Sequence, residues 1–291
     1  ISIKICGEGG LPLNGKIRKD IERRIEYEDF THPLRSSCKG IADMTGVALM
    51  YRRELIRQSE CELSELSCLI KCCNEKIQLL AEDCLYRLGC RQGDEITFKI
   101  NNDASLVSAF HRDCGWISQD RLLAVCCNYE TLNGRDIAVP FTAPEILDEI
   151  AAANSRRVLR YYTTLNDLSD EQARQLACSQ IFLRDALFLT IKILGIIAET
   201  GKSLARLSNE LPPFCVARKT IDTAFENEKI KEKISDFDLK YIGDGVMIFC
   251  PTGIVTLTKA DCGRGIRLAA EAKSYELSKE LCADIEKRLG K

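Results

Sequence analysis

The residues Lys99 to Phe110, KINNDASLVSAF, are laid out like a metal-binding loop short of ligands. An apolar stretch, Ile96 to Ile100, is predicted to be a strand running into a tight polar turn, and a second strand, Leu106 to Phe110, leaves it. Carboxylates clustered at such a junction would suit a hard cation, which takes oxygen ligands. Here a single carboxylate, Asp103, stands among Asn101, Asn102 and Ser105. A hydrogen-bonded turn needs no more than that. Zinc would need Cys and His at ligand spacing. The chain has sixteen Cys but only two His, His32 and His111, and neither is so spaced from a Cys pair. Adjacent pairs such as Cys72-Cys73 and Cys126-Cys127 form no C-x-x-C knuckles. Cysteines inside apolar stretches, such as Cys178, Cys250 and Cys282, are expected to be reduced core residues, as suits a cytoplasmic protein.

The elements that would position these groups follow from periodicity and punctuation. ISIKIC predicts a strand before a Gly-rich turn, and Ile17, Ile21 and Ile25 mark one face of the helix that follows. Further helices are expected over Val47 to Gln58, up to Gly89, and from Ser118 to about Asn128. LSCLIKC fits a strand or a first helical turn. DIAVP and RRVLRYYTT predict strands. TAPE (Thr142 to Glu145) and SDEQ (Ser169 to Gln172) have capping-box spacing. A buried helix, Leu183 to Glu199, is expected to stop at Gly201. Beyond the linker ELPPF, a charged helix over about Ile221 to Ile234 precedes the hairpin GVMIFC-PTG-IVTLT, a strand from Gly265 to Glu271 and a last helix from Ser274. Strands alternating with helices predict α/β layers.

With 291 residues, 45 % of them apolar and 29 % charged, the chain is of globular composition. A net charge of −2 without a basic stripe argues against nucleic acid as a partner. The most apolar run, Ala186 to Ala198, is too short to span a bilayer, so no membrane partner is expected. The first residue is Ile1 rather than Met, and the expectation is a piece of a longer or processed chain.

Several stretches resemble the α-D-phosphohexomutase superfamily, the phosphomannomutases and phosphoglucomutases. GWISQDRLLAV is similar to the entry of that family's third domain, G-x-x-x-x-G-D-x-L-L-A-L. ILDEIAAANSRRVLR resembles the helix–strand unit that follows, and RDALFLTIKILGIIAETGKSLARLSNELP resembles the exit helix with its G-K-S-L-x-x-L tail. DGVMIFCPTGIVTLT and GIRLAAEAKSYELSKELCADIEKRL resemble the last domain. GEGGLPLNGKIRKDIERRIEYEDF is similar to a subgroup in which a mutase-like region follows a sugar-phosphate nucleotidyltransferase of the mannose-1-phosphate guanylyltransferase type.

The resemblance implies an α/β fold of α/β/α layered domains with mixed sheets, plus a C-terminal α+β domain ordered helix–hairpin–strand–helix. It divides the chain into a remnant first domain (1–58), a shortened second (59–115), a third α/β domain (116–213) and the C-terminal domain (214–291). It also implies four catalytic loops, and each departs from the family pattern. T-A-S-H-N-P, which supplies the phosphorylated Ser, is missing; THPLRSSCKG offers Ser36 and Ser37 on the wrong side of the first long helix. D-G-D-A-D-R, the Mg²⁺ loop, corresponds to Asn101 through Leu106, where only Asp103 and Ala104 match. G-E-x-S-G, the sugar loop, is absent between SDEQARQLACSQ and RDALF. R-P-S-G-T-E-P, the phosphate loop, corresponds to TKADCGRGIR, where Lys259 and Arg264 keep positive charge without the Ser-Gly-Thr centre.

The expectation is therefore a catalytically degenerate mutase-like region with no catalytic residues, no metal and no cofactor. It would be structural, oligomerising or regulatory, with a nucleotidyltransferase module or a second copy as its partner. Asp103 would be the vestige of the metal loop, and Lys259 with Arg264 the residual phosphate-binding pair. The alternatives are an active phosphosugar mutase using Mg²⁺ at a rearranged site, or a module binding a phosphosugar or nucleotide-sugar effector.

Overall fold

The structure, a computed structural model, describes residues 5–13, 15–29, 46–59, 61–162, 170–223, 226–243, 245–260 and 265–290. In chain order, a 3-10 turn (Glu8–Gly10) leads to α1 (Gly15–Glu26), α2 (Gly46–Arg57), β1 (Ser67–Cys72) and α3 (Glu75–Arg87). Then come β2 (Arg91–Gln92), β3 (Ile96–Ile100), β4 (Val107–His111), β5 (Gly115–Ile117) and α4 (Gln119–Leu132). They are followed by β6 (Ile137–Pro140), α5 (Ile146–Ala153), β7 (Val158–Tyr161), α6 (Glu171–Ser179), α7 (Ala186–Thr200) and α8 (Leu204–Asn209). The chain ends with β8 (Cys215–Ile221), α9 (Asn227–Lys233), β9 (Asp238–Tyr241), β10 (Gly245–Cys250), β11 (Gly253–Lys259), β12 (Ile266–Ala272) and α10 (Tyr275–Leu289). Among the described residues, no helix is long and apolar enough to cross a membrane.

Packing separates the chain into two units. One comprises Gly15–Tyr129 and Gln180–Glu210. Its mixed sheet has the order β2-β1-β3-β4-β5, with β1 parallel to β3 and β3 antiparallel to β4. Alternation puts Cys68, Ile70, Phe98, Ile100, Val107 and Ala109 at buried positions, and α3 and α7 pack against these strands. Gln78 fastens α3 to β1: its Nε2 donates to the Ile70 carbonyl, and its Oε1 accepts from Cys72 N–H, both at 2.8 Å. Helix α7 is apolar around most of its circumference, as an interior helix must be, and ends at Gly201, whose φ of 64° suits a residue without Cβ.

The other unit comprises Ile1–Asn14, Glu130–Ser179 and Leu211–Lys291. It holds the parallel pair β6–β7, joined through α5, and an antiparallel sheet of order β8-β12-β11-β10-β9. Ile248, Val255, Leu257, Leu268 and Ala270 of that sheet share one core with Leu281, Ile285 and Leu289 of α10. Ser274 caps α10 by accepting from Leu277 N–H.

The α/β class with mixed sheets and a C-terminal α+β region is as expected, and several details differ. The charged stretch beginning at Ile221 is not a continuous helix; β8 already ends there, and the helix is confined to Asn227–Lys233. β8 pairs along its whole length with β12, while Lys219 reaches Glu286 of α10 at 2.6 Å. β9 adds a further strand, so the C-terminal region is a five-stranded sheet rather than a hairpin and one strand. Residues 5–13 form a 3-10 turn and a single bridge between Cys6 and Pro12, and residues 1–4 of the expected first strand lie outside the described residues. On α1, Ile17 and Ile25 are exposed.

TAPE is not a capping box. α5 begins after Glu145 with no side-chain cap from its own sequence. The Glu145 and Ile146 N–H groups instead donate to the Glu271 carboxylate, at 2.7 and 2.9 Å. A carboxylate from the end of β12 thus does what Thr142 was expected to do. Arg160 lies beside it, donating to the carbonyls of Ala143 and Pro144 and paired with Asp148. The Ser169 of SDEQ falls outside the described residues. Its neighbour Asp170 accepts from Tyr162 N–H and pairs with Arg174.

Burial pushes the Glu271 carboxyl above its ordinary range, outweighing the two N–H donors that favour the charged form. A raised folded-state pKa contributes stability that is complete below the unfolded value and is lost as pH rises through the folded one. Glu271→Gln removes that titration. Urea midpoints measured from about pH 4 to about pH 7 should show the wild type losing stability relative to Glu271→Gln as pH rises. A constant difference across that range would refute the assignment.

Candidate functional site

The turn between β3 and β4 is built around Asn101. Its Oδ1 accepts from Ser105 N–H and Leu106 N–H, both at 2.9 Å, and its Nδ2 donates to Ser105 Oγ at 3.0 Å. Asp103 adds a second layer: its Oδ1 accepts from Ser105 Oγ at 2.7 Å and Ser105 N–H at 3.2 Å. The Ser105 hydroxyl is the main reason the Asp103 carboxyl lies below its ordinary range. Ala104 is held in the left-handed region at φ 54°, a conformation that costs an L-residue roughly 1–2 kcal/mol. Two backbone bonds hold it there. Its N–H donates to Asn101 O at 3.2 Å, and its carbonyl accepts from Ala186 N–H at 2.9 Å.

That last bond joins the turn to the start of α7, the position at which the resemblance places a sugar loop. The segment there is a 3-10 turn, Ile181–Leu183, with Phe182 buried. Asp185 caps α7, its Oδ1 accepting from Leu187 N–H and Phe188 N–H at 2.9 and 3.1 Å. The hydroxyl of Tyr51 on α2 donates to the same oxygen at 2.8 Å, and the Tyr51 ring meets Phe188 edge-on. Burial raises the Asp185 carboxyl above its ordinary range and, with Asp185 alongside, raises the Tyr51 phenol too. The sequence reasoning did not single out Tyr51 or Asp185. The Asp-Ala-Leu-Phe order after Arg184 is the N-cap signal that could have identified Asp185.

These groups do not fit Mg²⁺. Mg²⁺ prefers octahedral oxygen coordination with one or two carboxylates completed by substrate phosphate. Here the amide oxygen of Asn101 is engaged by two N–H groups, and the turn supplies one carboxylate, itself bonded to Ser105. Among the described residues no three His, Cys, Asp or Glu side chains converge on a point that could hold a metal ion. His111 is buried in β4, its Nδ1 accepting from Asp113 N–H at 3.1 Å. Lys259 is exposed at the end of β11. Arg264, His32, Ser36 and Ser37 lie outside the described residues.

No protein-family model matches the chain. It is 24 % identical over 339 residues to the phosphoglucosamine mutase of Limosilactobacillus reuteri, which covers 96 % of this chain and 72 % of that protein. With the phosphoglucosamine mutase of Ligilactobacillus salivarius it shares 34 % identity over 106 residues, 35 % of this chain. Among solved structures, a phosphoglucomutase/phosphomannomutase family protein from Burkholderia thailandensis superposes with a TM-score of 0.68 at 17 % identity. That match covers 96 % of this chain and 71 % of the other. The chain is thus similar in sequence to phosphoglucosamine mutases and has the fold of the phosphoglucomutase/phosphomannomutase family protein. It spans only part of its relatives: 22 % of the L. salivarius protein, and 44 % of the phosphoglucosamine mutase of Bacillus licheniformis. The Paramecium phosphoglucomutase pp63/parafusin has the same fold, with a TM-score of 0.60, 12 % identity, and 86 % of this chain and 64 % of that chain covered.

The hydrogen bonding makes Asn101, not Asp103, the residue that holds the turn. Asn101→Ala should cost about 2–3 kcal/mol in denaturant unfolding, because it strips the acceptor from two backbone N–H groups. Asp103→Ala, at an exposed position, should cost less than about 1 kcal/mol. The Asp103 contribution should be present at neutral pH and vanish as pH falls through its depressed pKa, with Asp103→Asn as the control. Equal costs for the two alanine variants would reverse the assignment.

Proposed function

We propose that this chain is a catalytically degenerate phosphohexomutase-like region. Its role is structural, oligomerising or regulatory, beside a sugar-phosphate nucleotidyltransferase module of the mannose-1-phosphate guanylyltransferase type. One observation carries the first part: the amide of Asn101 closes the turn at 101–106 upon itself, in the place where the superfamily pattern has a carboxylate for Mg²⁺. The nucleotidyltransferase context rests on the resemblance of GEGGLPLNGKIRKDIERRIEYEDF alone. Lys259 and Arg264 are retained as the candidate phosphate-binding pair, and a phosphosugar as the candidate ligand.

The competing reading, an active mutase, is favoured by the names of the relatives, which are phosphoglucosamine mutases. Phosphoryl transfer between sugar hydroxyls needs a phosphorylated nucleophile and screening of phosphate charge. ³¹P NMR of the purified chain with glucosamine 6-phosphate or mannose 6-phosphate, Mg²⁺ and the matching hexose bisphosphate separates the two. The expected result is no interconversion of the 6- and 1-phosphates. Interconversion by the wild-type chain that requires Mg²⁺ and is abolished by EDTA would establish the active mutase instead.

A further inference from the structure

The mixed sheet packs α3 and α7 against one face, and its opposite face carries a groove of about 770 Å³. That volume lies within the range of small-molecule sites. Strand register places two rows of side chains on this face. Lys71 of β1 stands directly beside Lys99 of β3, followed by Ser108 of β4. Leu69, Thr97, Phe110 and Trp116 form the parallel row two residues along. Both lysines are exposed, and among the described residues neither has an ion-pair partner. Like charges opposed on adjacent strands, about 4.8 Å apart, destabilise a sheet unless an anion lies between them. Trp116 is 62 % exposed, and Phe110 meets it edge-on at 5.5 Å, which steadies the indole while leaving it open to solvent. Arg112 also lines the groove, paired with Asp94 at 2.6 Å.

A paired cationic site and an open aromatic face thus share one groove. The Cα atoms of Lys99 and Trp116 are two strands and two residues apart, about 12 Å from strand geometry. Long lysine side chains can close part of that distance. We propose that this sheet face binds a nucleoside phosphate, with the base stacked on Trp116 and the phosphate between Lys71 and Lys99. Aromatic stacking accepts any base, and the two ammonium groups supply the opposite charge. A phosphosugar would offer the indole the C–H groups of its ring in place of the flat π-face of a base, and the net charge of −2 disfavours a polynucleotide. The inference uses none of the loop at 101–106 and stands apart from the mutase question.

Trp116 is the only tryptophan in the chain, so its emission reports on this groove alone. The full chain is titrated with ADP, adenosine, inorganic phosphate, glucose 6-phosphate and oligo(dT). ADP should quench the emission saturably, with adenosine, phosphate and glucose 6-phosphate at least about tenfold weaker. The double charge reversal Lys71→Glu/Lys99→Glu should weaken ADP at least about tenfold with an unchanged circular dichroism spectrum. Should that variant misfold, Lys99→Gln and the fall of wild-type ADP affinity with added salt provide the same test. Unchanged emission at millimolar ADP overturns the proposal, as does undiminished binding by a folded charge variant. Tighter binding of glucose 6-phosphate or oligo(dT) than of ADP, or concealment of Trp116 by self-association without nucleotide, also overturns it.

Discussion

One amide side chain organises the centre of the five-stranded mixed sheet. The turn from β3 to β4 must reverse the chain within six residues while keeping Ile100 and Val107 on the buried side. Asn101 manages this by acting as a piece of backbone: its amide oxygen takes two N–H groups, and its amide nitrogen reaches Ser105. With that geometry set, Ala104 presents its carbonyl to the first N–H of α7, one of the donors a helix cannot satisfy internally. Asp185 takes the next two, and Tyr51 draws α2 to the same carboxylate. Sheet, turn and two helices therefore meet through one continuous set of hydrogen bonds. A turn fastened in this way keeps its shape without a cation.

Local pattern made much of this architecture legible. Ile96 to Ile100 alternates buried and exposed residues and is a strand over the expected range. The helix ending at Gly201 and the one starting after Ser274 carry their stop and start signals in their own sequences. The hairpin around Pro251-Thr252-Gly253 also follows from local turn chemistry. Asp103 could be recognised as a turn residue from its neighbours, because its partner Ser105 lies only two positions away.

What stayed hidden depends on partners distant in sequence. β8 carries no strand signal of its own, since Arg218 and Lys219 interrupt its apolar residues. Its strand character comes from β12, nearly fifty residues further on, and from Glu286, which takes the Lys219 charge. α5 has the local spacing of a capping box but takes its cap from Glu271, 125 positions beyond Ile146. A capping-box pattern identifies a helix start without identifying the group that satisfies its N–H donors. Asp185 carried a usable N-cap signal, whereas the docking of Tyr51 upon it required the fold.

The outer strands of the mixed sheet have a separate consequence. β2 offers two residues, Arg91 and Gln92, both exposed, and β5 only three. Sheet edges usually recruit foreign strands through long rows of unpaired backbone groups, and short or charged edges prevent this. In the antiparallel sheet, β9 is four residues long with Asp238 and Lys240 exposed, and β8 carries Arg218 and Lys219 along its margin. Both sheets are thus poor templates for fibrillar growth, which lets the chain display an indole and apolar side chains on an open sheet face without the strand-by-strand stacking that such surfaces invite.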